Sequence, residues 1–240
     1  MRWLVFLLAA CGHATPRVAV LISANTEWKV LHETLRDGDE SSPLGEWFVR
    51  DVAGRPVLFF HGGWGKIAAA ASTQYVIDRW RPRLLVNLGT CGGFAGKAAV
   101  GDVILAAKTV VYDIVEAMGD PDEAIADYTT TLDTSAWPAA LTGEVRHDVI
   151  VSGDRDLQPA DVPRLAEHFH ASVGDWESGA IAWTAHRNAV PVLILRGVSD
   201  VVGPSGSVTY GSMESFEAGT RKVLARLLTL LERAVPSWYG

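Results

Sequence analysis

Residues 84–93 of this chain read LLVNLGTCGG, an apolar run followed directly by a glycine-rich turn. A short apolar run bounded by a turn signal is typical of a strand that is buried on both faces. Strands of this kind belong to sheets that helices cover on both sides. The stretch therefore predicts an α/β protein in which residues 84–88 form a central strand.

Strand and helix patterns alternate on both sides of this stretch. Apolar, β-rich runs predict strands at 17–23, 47–52, 56–61, 102–111, 146–152, 171–175 and 191–200. Helical spacing of apolar residues predicts helices at 27–35, 66–80, 161–169, 177–187 and 216–234. The alternation predicts a three-layer sandwich with a central mixed, mostly parallel β-sheet flanked by helices.

Composition narrows the class of protein. The chain has 240 residues, 48% of them hydrophobic, which fits a single catalytic domain over residues 17–240. A formal net charge of -7 without a Lys/Arg stripe excludes nucleic acid as a main partner, because neutralising phosphates takes clustered cations. Cysteines and histidines lack metal-site spacing, and the glycine segments lack phosphate-loop and dinucleotide spacing. We therefore expect no metal and no cofactor.

Residues 1–16 have the pattern of a short leader or an N-terminal extension. A basic start and the apolar run WLVFLLAA precede Cys11, and Leu8-Ala9-Ala10-Cys11 resembles the lipobox of exported bacterial lipoproteins. Acylation of Cys11 would attach the protein to a membrane, since the run is far below the roughly 20 residues that span a bilayer. The alternative is an extension ahead of a cytoplasmic enzyme, and both interpretations stay open.

Polar residues follow the predicted strands at their ends, and they fall in segments 25–27, 62–66, 89–93, 152–154, 175–177 and 196–200. Ligands of open α/β sheets bind at the carboxyl ends of the strands, where such groups converge. This arrangement favours an enzyme over a scaffold protein.

Five of these segments, in order and separation, resemble one known family. Asn87–Gly93 is similar to its N-x-G-[ST]-x-G-G loop, and Val151–Asp154 to its V-S-G-D strand end. Asp175–Ala182 is similar to its x-M-E-[AS]-x-A-I-A segment, Arg196–Asp200 to R-x-[IV]-S-D, and Gly63–Lys66 to G-x-G-K. The chain thus resembles the methylthioadenosine/S-adenosylhomocysteine nucleosidases of the nucleoside phosphorylase superfamily, over about residues 17 to 235.

The resemblance implies a small-molecule nucleoside substrate, a homodimer and a cytoplasmic location. The implied reaction is hydrolysis of the N-glycosidic bond of 5′-methylthioadenosine or S-adenosylhomocysteine, which releases adenine. It also implies catalytic roles. Asp200 would protonate purine N7, and Glu27 and Arg196 would position and activate the attacking water.

The implied substrate-binding residues are Glu177, Trp176, Ser199, Thr90 and Gly92. Glu177 would hold the ribose hydroxyls, Ser199 would orient Asp200, and Thr90 would help to place the water.

The chemistry of the bond agrees with these residue types. Cleavage needs an acid for the leaving base, a carboxylate near the oxocarbenium-like sugar, and a base for water. Side-chain alternation predicts that Arg196, Val198 and Asp200 share one strand face. Structural interpretations stand beside these roles: a helix N-cap for Asp200, a first-turn residue for Glu177, and an ion pair for Arg196.

The chain departs from the family pattern at three positions. The turn Ala24-Asn25-Thr26-Glu27 is one residue shorter than the family's, so Trp28 stands at the position of the usual glutamate. Trp176 replaces a methionine, and Asp156 replaces an aromatic residue that often stacks on the base. These changes leave other nucleosides open as substrates, such as futalosine or 5′-deoxyadenosine.

Two other functions compete with hydrolysis. A phosphorylase would use phosphate in place of water, but Asn87 stands where phosphorylases of this superfamily carry an arginine for phosphate. A non-catalytic nucleoside-binding lipoprotein would need no acid and base, whereas Asp200, Glu177 and Glu27 occur together here.

Overall fold

The computed structural model describes residues 16–35 and 38–239. Its strands are β1 (Val18–Ile22), β2 (Glu40–Ser42), β3 (Gly45–Val52), β4 (Arg55–His61), β5 (Leu84–Phe94), β6 (Val103–Val111), β7 (Thr129–Thr131), β8 (Arg146–Ser152), β9 (Ala171–Asp175) and β10 (Val192–Val202). Its α-helices are α1 (Asn25–Leu35), α2 (Gly65–Trp80), α3 (Pro121–Ala126), α4 (Val162–His168), α5 (Ser178–Arg187) and α6 (Met213–Ala234). Two 3-10 helices cover Ala139–Glu144 and Val235–Tyr239.

All the strands listed above form one ten-stranded sheet, in the order β10-β6-β8-β9-β5-β1-β4-β3-β2, with β7 beside β6. Strand β10 also pairs with β5, so the path through β6, β8 and β9 returns to β5. Over the described residues, five pairings are parallel and five antiparallel. The predicted α/β fold with a large mixed sheet flanked by helices is confirmed. The sheet is not mostly parallel, because the pairings β2–β3, β3–β4, β6–β7, β6–β10 and β5–β9 are antiparallel.

The sheet has an apolar core on each face, as strand β1 illustrates. Val18, Val20 and Ile22 pack in the cluster that includes the apolar side of α6, whereas Ala19 and Leu21 pack in the cluster that includes α2 and α5. Side chains alternate across a strand, so an all-apolar strand fills both cores. Helices on both faces therefore leave the ends of the strands as the place for polar groups.

Strand β5 is longer than the predicted strand at residues 84–88. Residues 89–93 were expected to form a loop, but β5 continues to Phe94 and pairs with β10 along this segment. Glycines without Cβ atoms let the neighbouring backbone and side chains approach closely there. The glycine segment is consequently part of β5, beside the residues of β10 that are described below as the candidate site.

Short elements account for the other differences. Residues 40–42 form the edge strand β2, and this strand, α3 and β7 had no predicted counterpart. These elements have three to six residues, too few to show a period in the sequence.

The predicted leader and its Cys11 lie outside the described residues. Within residues 16–35 and 38–239, no helix has the length and apolar character needed to cross a membrane.

Candidate active site

Arg196 of β10 lies at the centre of a buried charge cluster. Its side chain is 1% exposed, and its Nε lies 2.8 Å from Asp175 Oδ2. Nη2 lies 3.6 Å from Glu177 Oε2, and Nη1 lies 3.9 Å from Glu27 Oε1. Buried charges require such compensation, because removal from water costs several kcal/mol per ion. The cluster joins residues from β10, β9, α1 and the segment before α5.

The absence of a side chain at Gly89 leaves the space that the Arg196 and Glu27 side chains occupy. Gly89 is the register partner of Arg196 on β5. A Cβ atom at position 89 would lie 2.1 Å from Arg196 Nη1 and 2.8 Å from Glu27 Oε1. No side chain fits at those distances, so the arginine and the glutamate occupy the volume that a residue at 89 would fill.

Glu27 lies buried in the first turn of α1. Its Oε1 accepts hydrogen bonds from the backbone N–H of Thr90 at 2.6 Å and from the Thr90 hydroxyl at 2.8 Å. Its Oε2 accepts from the backbone N–H of Ala24 at 3.3 Å. The neighbouring Trp28 points elsewhere, since its indole donates to Glu46 at 3.0 Å and stacks on His61. The shortened turn thus directs Glu27 to the glycine segment.

Asp175 completes the cluster, although the sequence analysis did not single it out. Its Oδ1 accepts from the Ser152 hydroxyl at 2.6 Å, and its Oδ2 accepts from the Ser178 hydroxyl. Arg196 Nε donates to Ser178 Oγ at 2.9 Å, and the Gly179 N–H donates to Ser152 Oγ at 2.9 Å. Asp175 and Ser152 both lie at strand ends within the family-like segments, and this position was the signal that could have found them.

Glu177 lies just before α5, and one of its oxygens accepts from the Gly65 N–H at 3.1 Å. Burial raises the pKa of Glu177 from 4.5 to about 8; nearby Arg196 opposes this rise, and the carboxylates of Asp175 and Glu27 add to it. The raised pKa favours the protonated form of the Glu177 carboxyl in the folded protein near neutral pH.

The raised pKa of Glu177 predicts a pH-dependent stability. Between pH 4.5 and about 8 the folded protein keeps a proton that the unfolded chain releases. The free energy of unfolding therefore falls as pH rises through this window, and the loss is complete above it. Glu177→Gln removes this titration, so its unfolding free energy should fall less steeply over the same window in urea titrations.

Glu214→Gln is the control for this experiment, because Glu214 is exposed in the first turn of α6. This control should keep the wild-type slope. Equal slopes for Glu177→Gln and the wild type would contradict the raised pKa.

Trp176 is half-buried beside Glu177. Its indole stacks on Trp64, with ring centroids 4.9 Å apart and planes at 27°. Trp64 is 63% exposed and immediately precedes Gly65, which binds Glu177. The two stacked tryptophans therefore adjoin, in the chain, the two residues that meet in the Gly65–Glu177 hydrogen bond.

Asp200 follows an irregularity in β10. Val198 pairs with Cys91 and Asp200 pairs with Gly92, so Ser199 has no register partner on β5. The predicted uninterrupted alternation from Arg196 to Asp200 is therefore wrong, because an extra residue in one strand shifts the faces that follow. The Ser199 hydroxyl donates to Asp200 Oδ1 at 2.7 Å.

The other oxygen of Asp200 contacts the loop that follows β10. Ser207 and Thr209 both donate hydroxyl hydrogen bonds to Oδ2, the second at 3.1 Å. Asp200 itself is 6% exposed. Sequence reasoning missed both hydroxyl residues, since serine and threonine in a loop carry no distinctive signal.

The structure brings Glu27, Thr90, Arg196 and Glu177 into one buried cluster, with Trp176 at its edge. Ser199 and Asp200 follow Arg196 on the same strand, and Gly92 lies opposite Asp200. A Cβ atom at Gly92 would meet Leu157 at 3.1 Å, so a side chain there would crowd this end of the site.

Cys91 does not contribute a nucleophile. Burial raises the pKa of the Cys91 thiol well above its usual value, and Asp175 adds to this rise. The thiol therefore stays protonated, and a protonated thiol is a poor nucleophile.

Comparisons with known proteins agree with this architecture. The family model described as Phosphorylase superfamily matches residues 16–236. The 5′-methylthioadenosine/S-adenosylhomocysteine nucleosidase of Tolumonas auensis is 24% identical over 230 residues, which cover 90% of this chain and 99% of that protein. The protein of the same name from Bacillus thuringiensis is 27% identical, over 81% of this chain and 90% of its own length.

A solved structure extends the likeness to three dimensions. Arabidopsis thaliana 5′-methylthioadenosine nucleosidase in its apo form has a TM-score of 0.76 and 20% identity, over 92% of this chain and 97% of that chain. The resemblance predicted from the five segments is confirmed by these relatives. The chain belongs to the phosphorylase superfamily.

Proposed function

We propose that this protein hydrolyses the N-glycosidic bond of 5′-methylthioadenosine or S-adenosylhomocysteine and releases adenine. Relatives that carry the name of this nucleosidase align over most of the chain and support the reaction. The observation that carries the proposal is the enclosure of the buried Arg196 by the carboxyl groups of Asp175, Glu177 and Glu27.

This enclosure favours water over phosphate as the second substrate. A phosphate dianion needs free cationic or N–H donors, preferably a guanidinium fork. Here Glu27 already occupies the Thr90 N–H and hydroxyl, and the Arg196 guanidinium is matched by acidic groups. The Asn87 amide donates to the backbone oxygen of Leu21 at 3.0 Å, so it is engaged within the sheet. A second anion at this place would be repelled.

The hydrogen-bond partners of Glu27 and Asp200 indicate that Glu27 is the base and Asp200 the acid. Glu27 accepts from the backbone N–H groups of Thr90 and Ala24, which can only donate. The recorded partners of Asp200 are hydroxyls, which can donate to a carboxylate or accept from a carboxylic acid. Glu27 is thereby suited to accept a proton from water, and Asp200 to donate one to purine N7.

The remaining side chains place the reactants. Within the described part of the chain, Arg196 Nη2 is buried without a hydrogen-bond partner, so it can donate to the attacking water. Thr90 orients Glu27, and Ser199 orients Asp200. Glu177 holds the ribose hydroxyls, because a carboxyl group can both donate and accept when protonated.

Trp176 and Gly92 shape the space around the substrate. Trp176 covers the ribose beside Glu177, and Gly92 leaves room at the Asp200 end. The protein acts as a cytoplasmic homodimer in this proposal, on the strength of the family resemblance. Attachment to a membrane would require acylation of Cys11.

The decisive experiment follows methylthioadenosine in phosphate-free buffer. We expect adenine and the free methylthioribose sugar in equal amounts, at a rate that added phosphate leaves unchanged. A strict dependence on phosphate with a sugar 1-phosphate product would establish a phosphorylase instead. Binding of the nucleoside without any release of adenine would establish a non-catalytic binder.

A further inference from the structure

The loop between β10 and α6 returns to the carboxyl group of Asp200. Ser207 and Thr209 donate to Asp200 Oδ2, and their hydroxyl oxygens lie 3.0 Å apart. The Thr209 N–H also donates to Ser207 Oγ at 3.2 Å, which fixes the two side chains relative to each other. Both residues are half-buried, so they connect the buried Asp200 carboxyl with the protein surface.

Contacts that do not involve Asp200 hold this loop in place. Gly203 and Gly206 exchange backbone hydrogen bonds of 3.0 Å, in a tight turn that gives Gly206 a φ of +92°. The Tyr210 hydroxyl donates to the backbone oxygen of Leu157 at 2.6 Å. Removal of the Ser207 and Thr209 hydroxyls therefore leaves the loop anchored on both sides.

We infer that Ser207 and Thr209 are positioning residues that stabilise the Asp200 carboxylate as its proton passes to the leaving base. This inference rests on the proposed role of Asp200 as the acid. The negative charge on Oδ2 grows during the transfer, so hydrogen bonds from the two hydroxyls strengthen in the transition state. Interactions of that kind raise kcat and leave substrate binding unchanged.

The titratable groups that interact with Asp200 do not supply a positive charge that would stabilise its carboxylate. Cys91 of β5 and Tyr210 of the loop both respond to the Asp200 charge, and burial raises the pKa of each. Both groups are thus neutral near pH 7 and do not balance a carboxylate. Arg196, earlier on the same strand, makes its ion pairs with Asp175, Glu177 and Glu27.

The test compares a variant without the two hydroxyls with one that keeps them. In Ser207→Ala/Thr209→Val, the ionised form of Asp200 loses two donors, so its carboxyl group should stay protonated to a higher pH than in the wild type. The carbonyl band of protonated Asp200, isolated by infrared difference against Asp200→Asn, measures this titration. In the same variant, kcat for methylthioadenosine should fall roughly 10-fold with KM unchanged.

Two further variants separate this role from a general effect on the loop. Ser207→Thr/Thr209→Ser keeps both hydroxyls and should restore most of the titration shift and of kcat. Ser205→Ala, at an exposed position of the same loop, should match the wild type. An unchanged Asp200 titration in the variant without hydroxyls would overturn the inference. That measurement needs no turnover, so it stays decisive even if the wild-type protein releases no adenine and the proposed function fails.

Discussion

Replacement of Asp200 by asparagine is expected to slow adenine release from methylthioadenosine by roughly 10²–10⁴-fold, the usual contribution of a general acid. The amide has nearly the shape of the carboxyl group but cannot give up a proton to purine N7. Its oxygen can still accept hydrogen bonds at one of the two carboxyl oxygen positions, and its NH2 group can donate to the hydroxyls at the other. Binding of the nucleoside should therefore change little.

Single-turnover kinetics and a direct binding titration test this prediction together. Asp78→Asn is the matched control, because Asp78 is exposed on α2, where it accepts from Gln74. It should leave both the rate and the binding unchanged. Wild-type turnover in Asp200→Asn would show that another group protonates the base.

Replacement of Arg196 by methionine is expected to lower the free energy of unfolding by about 3–5 kcal/mol, the range for a buried ion pair that loses one partner. Methionine fills much of the same volume without charge. The carboxyl groups of Asp175, Glu177 and Glu27 would then be buried without their cation, at 2–5% side-chain exposure. Their mutual repulsion and desolvation would both oppose folding.

Urea unfolding at several pH values measures this loss. It should shrink as pH falls, because protonation of the carboxyl groups removes the uncompensated charge. Arg221→Met is the control: Arg221 makes exposed ion pairs with Glu33 and Glu217, which solvent screens, so its effect should be much smaller. An equal loss in both variants would contradict a structural role for the Arg196 cluster.

The long strands and helices could be predicted from sequence because their patterns repeat locally. Helix α6 shows its apolar stripe over 22 residues, and the turn at residues 53–54 separates the strands of the β3–β4 hairpin. The edge strand β2 and the pair α3 and β7 were missed, because a few residues cannot display a period. The ratio of parallel to antiparallel pairings also escaped prediction, since strand neighbours are chosen by contacts between distant segments.

The site was partly predictable for a related reason. Glu177, Arg196 and Asp200 were named because they lie in family-like segments, and Glu27 because it follows the first predicted strand. The structure places Glu177 after β9, Glu27 in the first turn of α1, and both Arg196 and Asp200 within β10. Asp175 belongs to the same segments but was passed over, although it makes the shortest ion pair with Arg196 in the cluster. Ser207 and Thr209 lie outside every motif, so only their contact with Asp200 identifies them.

The sequence by itself determined the alternation of elements and the acidic and basic residues at the strand ends, because both depend on local order along the chain. Tertiary structure alone decided which charges meet. Arg196 and Glu27 approach each other only because Gly89 has no side chain between them. The bulge at Ser199 and the returning loop then place hydroxyls on both oxygens of Asp200. Such contacts depend on burial and on packing between residues far apart in the chain, and no local pattern encodes them.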